Sequence, residues 1–97
     1  MSDYLAQEKK TYVLAKQVLK SGTSIGANVA EAQHAQSKAD FISKMSIALK
    51  EAAETDYWLR IMKATSILNE KEADSLRFDC AELYKLLTSI VKTSKGK

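Results

Sequence analysis

Apolar residues recur every three and four positions along nearly the whole chain. From about Glu8 to Gln33 the series Leu14, Val18, Ser21, Ile25, Val29 and Ala32 holds that spacing. Such spacing puts side chains on one face of a helix, so the pattern predicts one continuous helix here. A linker, His34 to Gln36, follows. Ser37 opens a second helix, and Asp40 three residues later makes a variant of the capping box. That helix reads Phe41, Met45, Ala48, Ala52, Thr55, Leu59 and Met62. Asn69 with Glu72 marks a third start. The third helix reads Ala73, Leu76, Cys80, Leu83, Leu87 and Ile90. From Thr93 the chain is polar and is expected to fray.

No segment alternates as a strand does, and no Rossmann or P-loop glycine pattern is present. The expected fold is therefore all-α: an antiparallel up-and-down bundle of three long helices, with residues 1–97 as one domain. Each helix should measure roughly 35–40 Å at about 1.5 Å per residue. Short connections make consecutive helices antiparallel neighbours. A repeat near 3.5 fits slightly tilted, left-handed packing.

Two positions break the usual economy of a helix. Gly22 and Gly26 stand four residues apart inside the first helical pattern, and each costs about 1 kcal/mol relative to alanine. With Ala30 they form a smooth stripe on which another helix could lie almost backbone to backbone. On the second helix, Ile47, Trp58 and Ile61 fall opposite Phe41 and Ala52, with Tyr57 beside them. Contiguous apolar patches of this kind usually mark interfaces, although Trp58 folding over the bundle edge is the plainer alternative. The residues expected to serve packing and self-assembly are therefore Gly22, Gly26, Trp58 and Ile61.

Composition narrows the class. A 45% hydrophobic, 28% charged chain of 97 residues fits a small helical domain rather than a disordered one. Such a chain buries only a modest core, so help from other subunits is plausible. No proline forces a helix break. The single cysteine, Cys80, rules out an intrachain disulfide and suits a reducing, cytoplasmic setting. No run of 18 apolar residues could span a membrane, and the start MSDYLAQEKK lacks the apolar stretch of a secretion signal. A net charge of +3 is compatible with nucleic acid without pointing to it.

Several segments carry a family resemblance. VLAKQ at Val13–Gln17, SGTSIGANVAEAQ at Ser21–Gln33 and SKADFISKMSIALKEAAETDYWL at Ser37–Leu59 resemble the small four-helix-bundle family of 23S rRNA intervening-sequence proteins. That family is related to the accessory proteins of diversity-generating retroelements. The order and spacing of Gln17, Ser24, Asn28, Glu31, Asp40, Glu51, Glu54 and Trp58 carry the match, which extends from Tyr4 onward. The resemblance implies an antiparallel four-helix bundle assembled as a homopentamer, with no established enzymatic activity and no cofactor. It also implies RNA, DNA or a reverse transcriptase as partner, met through a basic surface. Members carry a full helix before the position of Tyr4, followed by a turn like Gln7–Lys10. On that reading the first helix is largely absent here and three remain.

Three constellations invite chemistry. Gln17, Ser24, Asn28 and Glu31 form a polar stripe beside the glycines, with Lys44, Glu51 and Arg60 as candidate partners; a network fixing helix register is the expected role. Glu31-Ala32-Gln33-His34 spells Glu-x-x-His, the ligand pair of di-iron bundles. With one histidine in the chain, a carboxylate–metal enzyme using Glu31, His34, Glu51 and Glu54 is a remote rival, and no metal is expected. Lys9, Lys10, Lys16 and Lys20 populate the first helix and are the candidate nucleic-acid contacts. The C-terminal lysines are explained by the helix dipole alone, and no stacking platform of aromatic and basic residues is apparent in the sequence. The expected function is a non-enzymatic, homo-oligomeric scaffold for RNA or a ribonucleoprotein, with a pure protein–protein adaptor as alternative.

Overall fold

A computed structural model of the chain describes residues 2–96, with side chains described from residue 4. Three helices account for almost all of it: α1 (Ser2–Ala32), α2 (Lys38–Ala64) and α3 (Glu70–Lys95). Among the described residues there is no strand.

The helix starts follow from local chemistry. The Ser37 hydroxyl accepts the Asp40 amide at 3.0 Å, and the Asp40 carboxylate reaches back to the Gln36 amide at 3.4 Å. Asn69 and Glu72 form a complete, reciprocal capping box at 2.7 and 3.1 Å. The end of α2 is a Schellman motif. The Ile67 amide donates to the Met62 carbonyl, the Ser66 amide donates to the Lys63 carbonyl, and Ser66 takes φ 63°. A serine therefore holds the left-handed position that glycine occupies most cheaply.

Two boundaries differ from expectation. Gln7–Lys10 is helix rather than turn, because Ala6, Gln7, Glu8, Lys9 and Lys10 are good helix formers with nothing to stop them. The polar tail does not fray at Thr93: α3 runs on to Lys95, with Lys92 and Lys95 in its last turn complementing the dipole.

The heptad positions supply the core. Leu14, Ser21, Ile25 and Ala32 of α1 are buried, as are Met45, Ala48, Ala52, Thr55, Leu59 and Met62 of α2. From α3 come Ala73, Cys80 and Leu87, joined by Val91, while Leu76 is 45% exposed instead of buried. Small side chains do permit close helix approach, but at Ala48, Ala52 and Ala73, each 0% exposed. The glycines do not serve that role within the chain. A β-carbon built on Gly22 or Gly26 would meet nothing within 4 Å.

The helices lie in a layer rather than a closed bundle. Both α1 and α3 pack on α2, while among the described residues no Cα of α1 comes within 8 Å of a Cα of α3. The Cα extents are 57 × 22 × 13 Å, close to one helix thick. Ser21 pairs with Thr55 and Glu31 with Lys44, so α1 residues before about position 12 run past the end of α2. Residues 4–10 are accordingly all exposed. No helix among the described residues is long and apolar enough to cross a membrane.

Candidate functional site

The two broad sides of the layer differ in chemistry. On one side, Val29 of α1 and Leu83 and Ile90 of α3 each pack against the buried core. Gly22 and Gly26 lie seven and three residues before Val29, so they share its side of α1, and Leu19 continues the line. Leu76 and Leu86 flank Leu83 in the same way on α3. Leu19 is 67% exposed and Leu86 57%, so the gap between α1 and α3 is bordered by uncovered apolar side chains and bare glycine backbone.

The seam between α1 and α2 carries the polar stripe, and the expected network forms only in part. Glu31 pairs with Lys44 at 3.4 Å, and the Asn28 amide donates to Ser24 Oγ at 3.3 Å and to the Ser24 carbonyl at 2.9 Å. Among the described residues Gln17 makes no side-chain hydrogen bond and the Glu51 carboxylate takes no partner, and Arg60 pairs instead with Asp56 of its own helix. The buried polar pair was not foreseen: Thr55 Oγ1 donates to Ser21 Oγ at 2.8 Å. A serine and a threonine at apolar heptad positions are the only signal for it in the sequence. Trp58 is half-buried at this edge, its indole N–H 3.4 Å from Glu54 Oε1 and its ring edge-on to Tyr57 at 5.0 Å. Ile61 is also half-buried, so of the expected patch Ile47 and Tyr57 stand out most.

The metal constellation does not assemble. Glu31 is taken by Lys44, and His34 lies exposed beyond the end of α1. Among the described residues, no three His, Cys, Asp or Glu side chains converge as ligands. Cys80 is buried, with Sγ 3.2 Å from the Ala52 carbonyl. Burial, and secondarily the charge of Asp56, pushes its thiol pKa up, so the protonated thiol that donates to this carbonyl is favoured.

Lys9, Lys16 and Lys20, at steps of seven and four, share one outward line on α1, and all are exposed. Lys10 lies off that line, one turn before buried Leu14, and shares with Lys9 a concavity bordered by α2's Ile61. None of the four forms an ion pair among the described residues.

A second basic region escaped the sequence. Arg60 and Arg77 are the chain's only arginines, and both converge on Asp56. Arg77 Nε lies 2.9 Å and Nη2 3.5 Å from its two carboxylate oxygens, and Arg60 Nε lies 3.5 Å away. Asp56 holds the Arg77 guanidinium still more firmly charged than usual. With Tyr84 and Lys85 these residues line an open groove of about 390 Å³ between α2 and α3.

A model of the 23S rRNA-intervening sequence protein family matches residues 1–89. The chain belongs to this family. One solved structure is similar over most of its length. It is a protein of unknown function from the S23 ribosomal protein family of Bacteroides thetaiotaomicron, 51% identical, with a TM-score of 0.83. The match covers 93% of this chain and 83% of that one. A comparison with curated proteins found no match.

Proposed function

We propose that this intervening-sequence protein is a non-enzymatic subunit that self-associates through its uncovered apolar side and presents basic surface to nucleic acid. One observation carries the assembly reading. The chain exposes 6770 Å², whereas a globular monomer of 10.8 kDa is expected to expose about 5,500 Å². The excess, about 1,200 Å², exceeds the roughly 800 Å² that each partner buries in a standard interface. The radius of gyration, 16.0 Å, is likewise larger than the roughly 12–13 Å of a compact chain this long. Leu19, Gly22, Gly26, Leu76 and Leu86 border the gap where cover is missing. A homopentamer is the assembly that the family resemblance implies.

The nucleic-acid reading is supported by the unpaired line Lys9, Lys16 and Lys20, and repetition around an oligomer would multiply weak phosphate contacts. Light scattering tests the assembly: a multiple of the chain mass is expected, and a monomer at micromolar concentration refutes it. RNA binding that weakens steeply with salt tests the second half. Binding of a protein partner without any RNA affinity at low salt would favour a pure adaptor.

A further inference from the structure

We propose that the groove between α2 and α3 is a docking track for single-stranded nucleic acid, with Arg60, Arg77 and Lys85 on the phosphates and Tyr84 and Phe78 against the bases. The proposal rests on the reading that the protein meets nucleic acid, and names a site on the opposite side of α3 from the apolar gap.

Charge comes first. Three cations face one carboxylate, Asp56, so the groove is net positive. Asp56 also orients the guanidiniums. Arg60 reaches it only through Nε, and Arg77 through Nε and Nη2, which leaves both Nη groups of Arg60 and Nη1 of Arg77 without a hydrogen-bond partner among the described residues. Arginine forks with free N–H edges bind phosphate oxygens in paired contacts. A second concavity shares Arg60 and Arg77 and continues past Lys63, which is paired with Asp74 at 2.6 Å, to Ser66, Asn69 and Glu70 at the α2–α3 connection, so the free cations of the track are Arg60, Arg77 and Lys85. From Glu70 to Lys85 the track follows about 23 Å of α3. Lys92, seven residues beyond Lys85, prolongs it, and Glu82 bounds it on the far side of Phe78.

Aromatic rings decide the class of polyanion. Tyr84 lines the groove and is 43% exposed, and Phe78 is 65% exposed three residues before groove-lining Ala81. Rings interleaved with cations along a groove suit unpaired bases, whose faces are free to stack. A duplex keeps those faces occupied, and an acidic peptide would use the cations and leave the rings idle.

The test is fluorescence anisotropy of a labelled 12-nucleotide RNA against three proteins of full length: wild type, Arg60→Ala/Lys85→Ala, and Lys9→Ala/Lys16→Ala/Lys20→Ala. Circular dichroism checks that each variant keeps its helicity. Removing two phosphate contacts should weaken binding about tenfold and reduce the slope of log K against log salt by about 1.4. Phe78→Ala should weaken single-strand binding without changing that slope, and a duplex of equal length should bind less tightly. An unchanged affinity and slope for Arg60→Ala/Lys85→Ala, with binding lost in the triple lysine variant, would overturn the groove and leave the nucleic-acid reading standing. Failure of the wild type to bind either RNA form at low salt would overturn both. A poly-glutamate peptide that binds as tightly as the RNA would overturn single-strand specificity.

Discussion

Thr55 Oγ1 lies 2.8 Å from Ser21 Oγ, the buried polar contact that ties α2 to α1 midway along their shared seam. Each hydroxyl also has a carbonyl of its own helix in reach, Glu51 at 2.8 Å for Thr55 and Gln17 at 3.0 Å for Ser21. Neither group is therefore stranded when the other is removed. Thr55→Val should cost about 0.5–1.5 kcal/mol in urea unfolding. Ser21→Ala/Thr55→Val should cost clearly less than the sum of its single changes, because the two side chains share one contact.

The glycines separate folding from assembly. With nothing within 4 Å of a β-carbon at Gly26, Gly26→Ala relieves helix entropy and should stabilise an isolated chain by about 1 kcal/mol. Gly26→Leu should leave helicity intact yet lower the oligomeric mass in light scattering. If both variants assemble as wild type does, the apolar gap is not the self-association surface.

Ser66 offers a gain in stability. Its φ of 63° places a β-carbon where the left-handed conformation costs roughly 1–2 kcal/mol. Ser66→Gly should raise the melting temperature, with about 1 kcal/mol gained after the extra freedom of glycine in the unfolded chain is subtracted.

Much of this molecule was legible from spacing. The heptad series located the seam of every helix because burial in an all-helical layer is decided by periodicity, and Ser37, Asn69 and Glu72 fixed two starts through local hydrogen bonds. Other features depend on relations between helices that no single-helix pattern encodes. Gly22 and Gly26 look like packing positions in sequence, but which side of α1 meets α2 is set by Leu14, Ile25 and Ala32. Arg60 lies one turn after Asp56 on α2, a spacing visible in the sequence, but Arg77 is 21 positions from Asp56 and only antiparallel pairing of α2 with α3 brings it there. Leu76 obeys the heptad yet stays exposed, because the face it points to has no third wall in the chain.

Cys80 gives the fold an alkaline limit. Its thiol pKa is raised by burial, so the folded state keeps the proton that the unfolded chain releases first. The stabilising contribution is complete below the ordinary thiol range. It declines as the pH climbs through that range towards the raised folded value. Cys80→Ala should flatten this decline in denaturant titrations at increasing pH, and an identical slope in the variant would assign it to other groups.

Asp56 restrains the arginines electrostatically. Asp56 and Arg77 are about a third exposed and Arg60 more than half, so Asp56→Asn should cost no more than about 1 kcal/mol of stability. The same change frees two guanidiniums and should tighten RNA binding, measured by anisotropy at fixed salt. A loss of affinity would mean that orientation by the carboxylate outweighs the charge it cancels.

A plate 13 Å thick has no depth in which to hide one side from the other. Copies that close ranks along the glycine and leucine side would turn their arginine-bearing backs outward together, at intervals dictated by the symmetry. A strand of nucleic acid would then meet a repeating rail, whose grip depends on how many plates stand in line.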